Sequence, residues 1–91
     1  PGEIVTIQGK VTQMKNEYTK RGKKIQKATV SDDTGQIEVV WYNQPFLVKA
    51  IPIGVNISLS GKITLFNTNL VLEPTEYEII KANNKYQITN T

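Results

Sequence analysis

Six of the eleven basic residues in this chain, Lys15, Lys20, Arg21, Lys23, Lys24 and Lys27, fall within thirteen consecutive positions. Such a cluster suits a polyphosphate backbone, because Lys and Arg bind phosphate oxygens without reading sequence and release the counterions condensed on them. Further along stand three aromatic residues, Trp41, Tyr42 and Phe46. Unpaired bases stack on exposed rings of this kind for about 1–3 kcal/mol each. Tyr18, inside the basic cluster, is a fourth ring with the same capacity. Cations that track phosphates beside rings that stack bases describe a single-strand or junction binder. The competing reading is a hairpin kept soluble by its lysines and unable to pair edge to edge, with rings that only cap a barrel core.

The chemistry missing from the chain narrows the field. Histidine and cysteine are both absent, which excludes thiolate–imidazole metal sites, a Cys nucleophile and any triad with an imidazole base. Asp32 and Asp33 precede Gly35 and read as turn formers, not as paired catalytic carboxylates. Glu73, Glu76 and Glu78 have no spacing that would cage a cation. Gly9, Gly22 and Gly61 are each followed by Lys, but none has the first glycine and trailing Ser or Thr of a phosphate-cradling loop. No catalytic, cofactor or metal site is therefore expected within these residues.

Strand patterning supplies the elements that must position the cluster and the rings. Val5, Ile7 and Val11 alternate with Thr6, Gln8, Lys10 and Thr12, the period of a strand with one buried face. Residues 16–24 are polar, basic and contain Gly22, and are expected to be a hairpin loop leading to a second strand over 25–31. The aspartates and Gly35 form a tight turn into a third strand over 37–42. There, Trp41 and Tyr42 point to opposite faces, so at least one ring should be exposed. Residues 44–50, with Pro45 in the first turn, suit about two helical turns, with Phe46, Leu47 and Ile51 available to close a barrel end. Residues 55–65 alternate again, with Gly61 as a bulge or bend. A short turn at Asn67, Thr68 and Asn69 precedes a fifth strand over 70–80, where Pro74 implies an edge or bulge.

Three strands, one short helix and two strands is the order of an all-β, five-stranded OB-fold barrel. That barrel binds oligonucleotides or oligosaccharides across strands two and three, between the loop joining strands one and two and the loop joining strands four and five. Here the first loop is the lysine cluster. An SH3-like barrel is the competing fold, disfavoured by the helix.

Ninety-one residues, 38% hydrophobic and 21% charged, fit one folded domain too small for a catalytic cleft of its own. Net charge is only +3, so the distribution of charge carries the argument: basic near the first loop, acidic near the far end. The apolar stretch 46–53 is broken by Lys49 and Pro52 and is far short of the roughly 20 residues that span a bilayer. No signal-peptide pattern opens the chain, and the lack of cysteine agrees with a cytoplasmic location. The expected organisation is a nucleic-acid-binding domain over 1–82 and a polar tail or linker over 83–91, excised from a longer protein and monomeric.

At Asp32-Asp33-Thr34-Gly35-Gln36-Ile37, followed by Val40-Trp41-Tyr42-Asn43-Gln44-Pro45-Phe46-Leu47, the sequence resembles the wedge domain of the bacterial RecG helicase. Ser60-Gly61-Lys62 and Glu73-Pro74-Thr75-Glu76-Tyr77-Glu78 extend the likeness over nearly the whole chain. The turn is common to many OB domains, anticodon-binding domains of aminoacyl-tRNA synthetases among them, and the Asn-Gln-Pro-Phe segment sets this one apart. The resemblance implies a module of an ATP-driven DNA translocase that rescues stalled replication forks and processes Holliday junctions. ATP and Mg would be held by motor domains of the parent chain, and the module alone would hydrolyse nothing. By motif position Tyr42 and Phe46, with Trp41 beside them, would stack on bases at the branch, while Lys15, Lys20, Arg21, Lys23 and Lys24 hold phosphates. Some relatives carry tyrosine where Phe46 stands, a change that keeps stacking and loses a phenolic hydrogen bond. The rival readings are an RNA-binding OB domain of the anticodon type, which would prefer RNA loops, and a protein-interaction barrel that binds no nucleic acid.

Overall fold

A computed structural model of the chain describes residues 3–66 and 68–80. The alternating stretches become β1 (Ile4–Tyr18), β2 (Lys24–Asp32), β3 (Gly35–Tyr42), α1 (Leu47–Ala50), β4 (Asn56–Phe66) and β5 (Asn69–Ile80). They close into a barrel in the order β1-β2-β3-β5-β4, the five-stranded OB fold with one short helix between β3 and β4. The tail at 83–91 lies outside the described residues.

β1 is long because it serves two neighbours. Its first half pairs with β4, from Ile4 opposite Lys62 to Lys10 opposite Asn56, and its second half pairs with β2 as far as Tyr18 opposite Lys24. A register shift between Val11 and Gln13 marks the change of partner, and such a bulge bends the strand around the barrel. The hairpin loop expected over 16–24 is therefore shorter: Asn16, Glu17 and Tyr18 pair with Gln26, Ile25 and Lys24. Their polar composition reflects a strand with a wet face, which composition alone does not separate from a loop.

The core is formed by inward residues, among them Val11, Ala28, Val30, Val39, Trp41, Ile57, Leu59 and Leu72, all at 4% exposure or less. The helix expected over 44–50 is reduced to Leu47–Ala50, reached through turns in which the Leu47 and Val48 amides donate to the Gln44 and Pro45 carbonyls. Leu47 and Ile51 plug the barrel end at 1% and 0% exposure. Phe46, at 62%, stays outside the core.

Gly61 and Pro74 meet where β4 and β5 bend. The register jumps from Ser60 opposite Glu76 to Gly61 opposite Pro74, which leaves Thr75 as the extra residue of a bulge, the position where a strand proline is tolerated. A Cβ at residue 61 would run into the Glu73 carbonyl oxygen and come within 2.5 Å of the Pro74 Cα. Only glycine fits this approach.

In the β2–β3 turn the Asp32 carboxylate accepts hydrogen bonds from the Thr34 hydroxyl (2.6 Å), the Thr34 amide (2.7 Å) and the Gly35 amide (3.2 Å). The Thr34 hydroxyl, then its amide, holds the Asp32 carboxyl below its ordinary value. A carboxyl with a depressed folded-state pKa stabilises the fold above its unfolded-state value, near about 4, and loses that contribution as pH falls through the lower folded-state value. The stability difference between the parent protein and Asp32→Asn, measured by urea denaturation, should therefore shrink as pH drops below about 4. A difference that stays constant with pH would mean that the turn does not depend on the ionised carboxylate.

Candidate nucleic-acid interface

Register decides what the outer face of β1, β2 and β3 carries, since residues directly opposite one another in antiparallel strands share a face. Lys15 lies opposite Lys27, and Lys27 opposite Val40; Glu17 lies opposite Ile25, and Ile25 opposite Tyr42. Two rows therefore cross the outer face, Lys15–Lys27–Val40 and Glu17–Ile25–Tyr42. Ile25, Val40 and Val71 are buried there against Phe66, a small second core outside the barrel. It gives the face a rigid apolar floor and fixes Phe66 at the end of β4.

Beside this cluster runs a groove of about 490 Å³ lined by Glu17, Tyr18, Thr19, Lys20, Arg21 and Lys23 together with Ile25, Lys27 and Phe66. An adjoining recess of about 480 Å³ shares Lys23 and adds Lys24 and Tyr42. The loop at 19–23 holds its shape through its own backbone: the Thr19 and Gly22 amides donate to the Lys23 and Thr19 carbonyls, both at 2.9 Å, and Gly22 takes φ 83°. A Cβ is disfavoured at that angle, so glycine turns the loop and leaves its cations pointing outward. Among the described residues, Lys20, Arg21, Lys23 and Lys24 enter no ion pair. They are exposed to solvent.

The rings divide. Tyr42 is exposed at 38% and Tyr18 at 69%, and both border the groove or its recess. Burial, then the charge of Glu73, raises the Tyr42 hydroxyl above its ordinary pKa, so it stays a neutral hydrogen-bond donor at neutral pH. Trp41, expected beside Tyr42 on the binding surface, instead points inward at 4% exposure and meets Tyr77 edge-on, with centroids 6.5 Å apart. The strand pleat forces this: with Val39 and Trp41 facing inward, Val40 and Tyr42 face outward. Phe46 is exposed, but no ring contact links it to Tyr42 among the described residues. The Asn43 backbone takes φ 58°, which turns the chain between them.

Lys15 lies in β1, and its ammonium is 2.9 Å from Glu17. That carboxylate raises the Lys15 pKa, while Lys15, with help from Lys27, lowers that of Glu17. Lys27 is itself 3.6 Å from Glu17 and 3.9 Å from Glu38, and its ammonium stands 5.5 Å over the Phe66 ring. Sequence reasoning did not place Phe66 in the site. Its position beside the predicted turn between strands four and five was the available signal.

Gln26 locks the hairpin to the rest of the site. Fully buried, it donates from Nε2 to Asn16 Oδ1 at 3.0 Å and accepts at Oε1 from the Gln44 amide at 2.8 Å. One side chain thus ties β1, β2 and the segment after Tyr42. Gln26→Leu keeps the volume but leaves the Gln44 amide without this partner, and should cost about 1–3 kcal/mol. Urea denaturation checks this, and an unshifted midpoint would show that the crosslink carries no stability.

Residues 5–80 match the model of a family described as OB-fold nucleic acid binding domain, of the tRNA anticodon type. No curated protein matches the sequence. Among solved structures, the mitochondrial single-stranded DNA-binding protein Rim1 of S. cerevisiae superposes with a TM-score of 0.74 at 13% identity, over 89% of this chain and 96% of that one. The single-stranded DNA-binding protein of Thermus aquaticus gives 0.74 at 14% identity, over 92% of this chain and 43% of that one. The second OB-fold domain of replication protein A from Methanococcus maripaludis gives 0.68 at 21%, over 91% and 89%. At these identities the likeness is one of fold.

Proposed function

Because residues 5–80 match that family's model, the chain belongs to the OB-fold nucleic-acid-binding domain family, and from that premise we propose that it binds unpaired DNA in the groove between the loop at 19–23 and Phe66. One observation carries the reading: four cations without an ion pair among the described residues, Lys20, Arg21, Lys23 and Lys24, rim a surface that also presents the rings of Tyr18 and Tyr42. Phosphates follow the rim and bases lie against the rings, an arrangement that is indifferent to sequence. The finer reading is a wedge module at the branch point of a RecG-like fork-reversal and Holliday-junction helicase, working in the cytoplasm beside motor domains that bind ATP and Mg. It rests on the resemblance around Asp32–Ile37 and Val40–Leu47. The module's part would be steric and electrostatic: it holds one separated strand while a motor elsewhere pulls.

Tyr42→Ala should weaken binding of single strands and forks by about 1–3 kcal/mol while leaving the melting temperature close to that of the parent protein. Anisotropy titration paired with thermal denaturation separates the two effects. A large loss of stability with unchanged affinity would make Tyr42 a structural residue and remove it from the interface.

A further inference from the structure

The strand face beside the groove, from which Glu17 and Lys27 line it, does not share the charge of the rim. Lys15 and Lys27 are the cations of the strand face, and Glu17 and Glu38 lie against them: Lys15 to Glu17 at 2.9 Å, Lys27 to Glu17 at 3.6 Å and Lys27 to Glu38 at 3.9 Å. Two positive and two negative side chains leave this patch neutral. The Lys27 side chain is only 20% exposed, and Ile25, Val40 and Val71 of the same face are buried. A phosphate moving over the floor would have to displace a carboxylate from its partner and then lie against its charge. An unpaired base brings no charge, and its edge can meet the Lys27 ammonium or the Glu17 carboxylate with complementary hydrogen-bonding groups.

We infer that Glu17 and Glu38 act as a charge filter that withholds Lys15 and Lys27 from phosphate, so that the groove floor admits bases and the free cations of the rim take the backbone. The ligand class this selects is unpaired nucleic acid. A duplex presents its phosphates outward and its base faces nowhere, so it gains only the rim. Glu17 and Glu38 thus set specificity by what they repel, a discrimination achieved through an unfavourable contact with the wrong ligand. The inference rests on the binding function proposed above and assigns to it the choice between single strands and duplexes.

The test is anisotropy titration of the full chain, as parent, Glu17→Gln, Glu38→Gln and the double variant, against a labelled single strand and a blunt duplex over a series of salt concentrations. Both carboxylates are on the surface, and thermal melts of each variant verify folding. The expected result is a duplex affinity raised several-fold in the double variant, with the salt dependence for duplex steeper by up to about 1.8, from two released cations at about 0.9 each. Single-strand affinity should rise less, so the preference for single strands falls. Parent binding to single strands with a preference unchanged in the folded variants would overturn the filter and leave the binding function standing. A parent that binds neither ligand at low salt would overturn both.

Discussion

Replacing Lys20, Arg21, Lys23 and Lys24 together by glutamine will flatten the salt dependence of single-strand binding and reduce affinity at low salt more than any substitution of a ring. Each phosphate contact on a single strand contributes about 0.7 to the slope of log affinity against log salt, so loss of all four lowers the slope by about 3. The same four residues are exposed and enter no ion pair among the described residues, so the variant should melt as the parent does. A slope that stays at the parent's value would place the phosphates elsewhere on the barrel.

The largest effect on stability is expected at Gly61. Even Gly61→Ala puts a methyl group against the Glu73 carbonyl and within 2.5 Å of the Pro74 Cα. Both are backbone atoms of a strand already kinked by proline, so nothing flexible can yield. β4 and β5 would have to part at the bulge, opening the barrel between Ser60 and Lys62. The cost should exceed about 3 kcal/mol, beyond the usual overpacking range, and Gly61→Val should prevent folding at 37 °C. Denaturant titration of the alanine variant measures it. A loss under about 1 kcal/mol would mean that the two strands can separate at little cost, contrary to the tight approach seen here.

Much of the architecture could be read from alternation. β4 was legible because its inward residues Ile57 and Leu59 and its polar neighbours repeat with period two, and the bulge at Gly61 and Pro74 announced itself through two residues with narrow backbone uses. The end of β1 was not legible. Asn16, Glu17 and Tyr18 look like a loop, and only pairing with β2 makes them a strand. The helix was overestimated because the Leu47 and Val48 amides bond three residues back, to the Gln44 and Pro45 carbonyls, and the four-residue ladder starts only with the Ala50 amide on the Phe46 carbonyl.

The site was half legible for the same reason. Loop cations need no register to be recognised: Lys20, Arg21 and Lys23 sit in the loop where the sequence puts them, and Lys24 stands next to them as the first residue of β2. The rings depend on facing. Alternation required one of Trp41 and Tyr42 to point outward, but only the closed barrel decides that it is Tyr42. Phe66 and the Glu17–Lys27–Glu38 network bring together residues from β1, β2, β3 and β4, and no local pattern encodes that meeting.

The central claim is that the groove takes unpaired nucleic acid, and the most direct measurement is a fluorescence-anisotropy titration of the parent protein against a labelled three-way fork, a single strand and a blunt duplex at low and moderate salt. The structure predicts binding to the single strand and the fork over the duplex, weakening as salt rises, with the fork tightest if the module is a wedge. Equal binding to all three, or none at low salt, would contradict it.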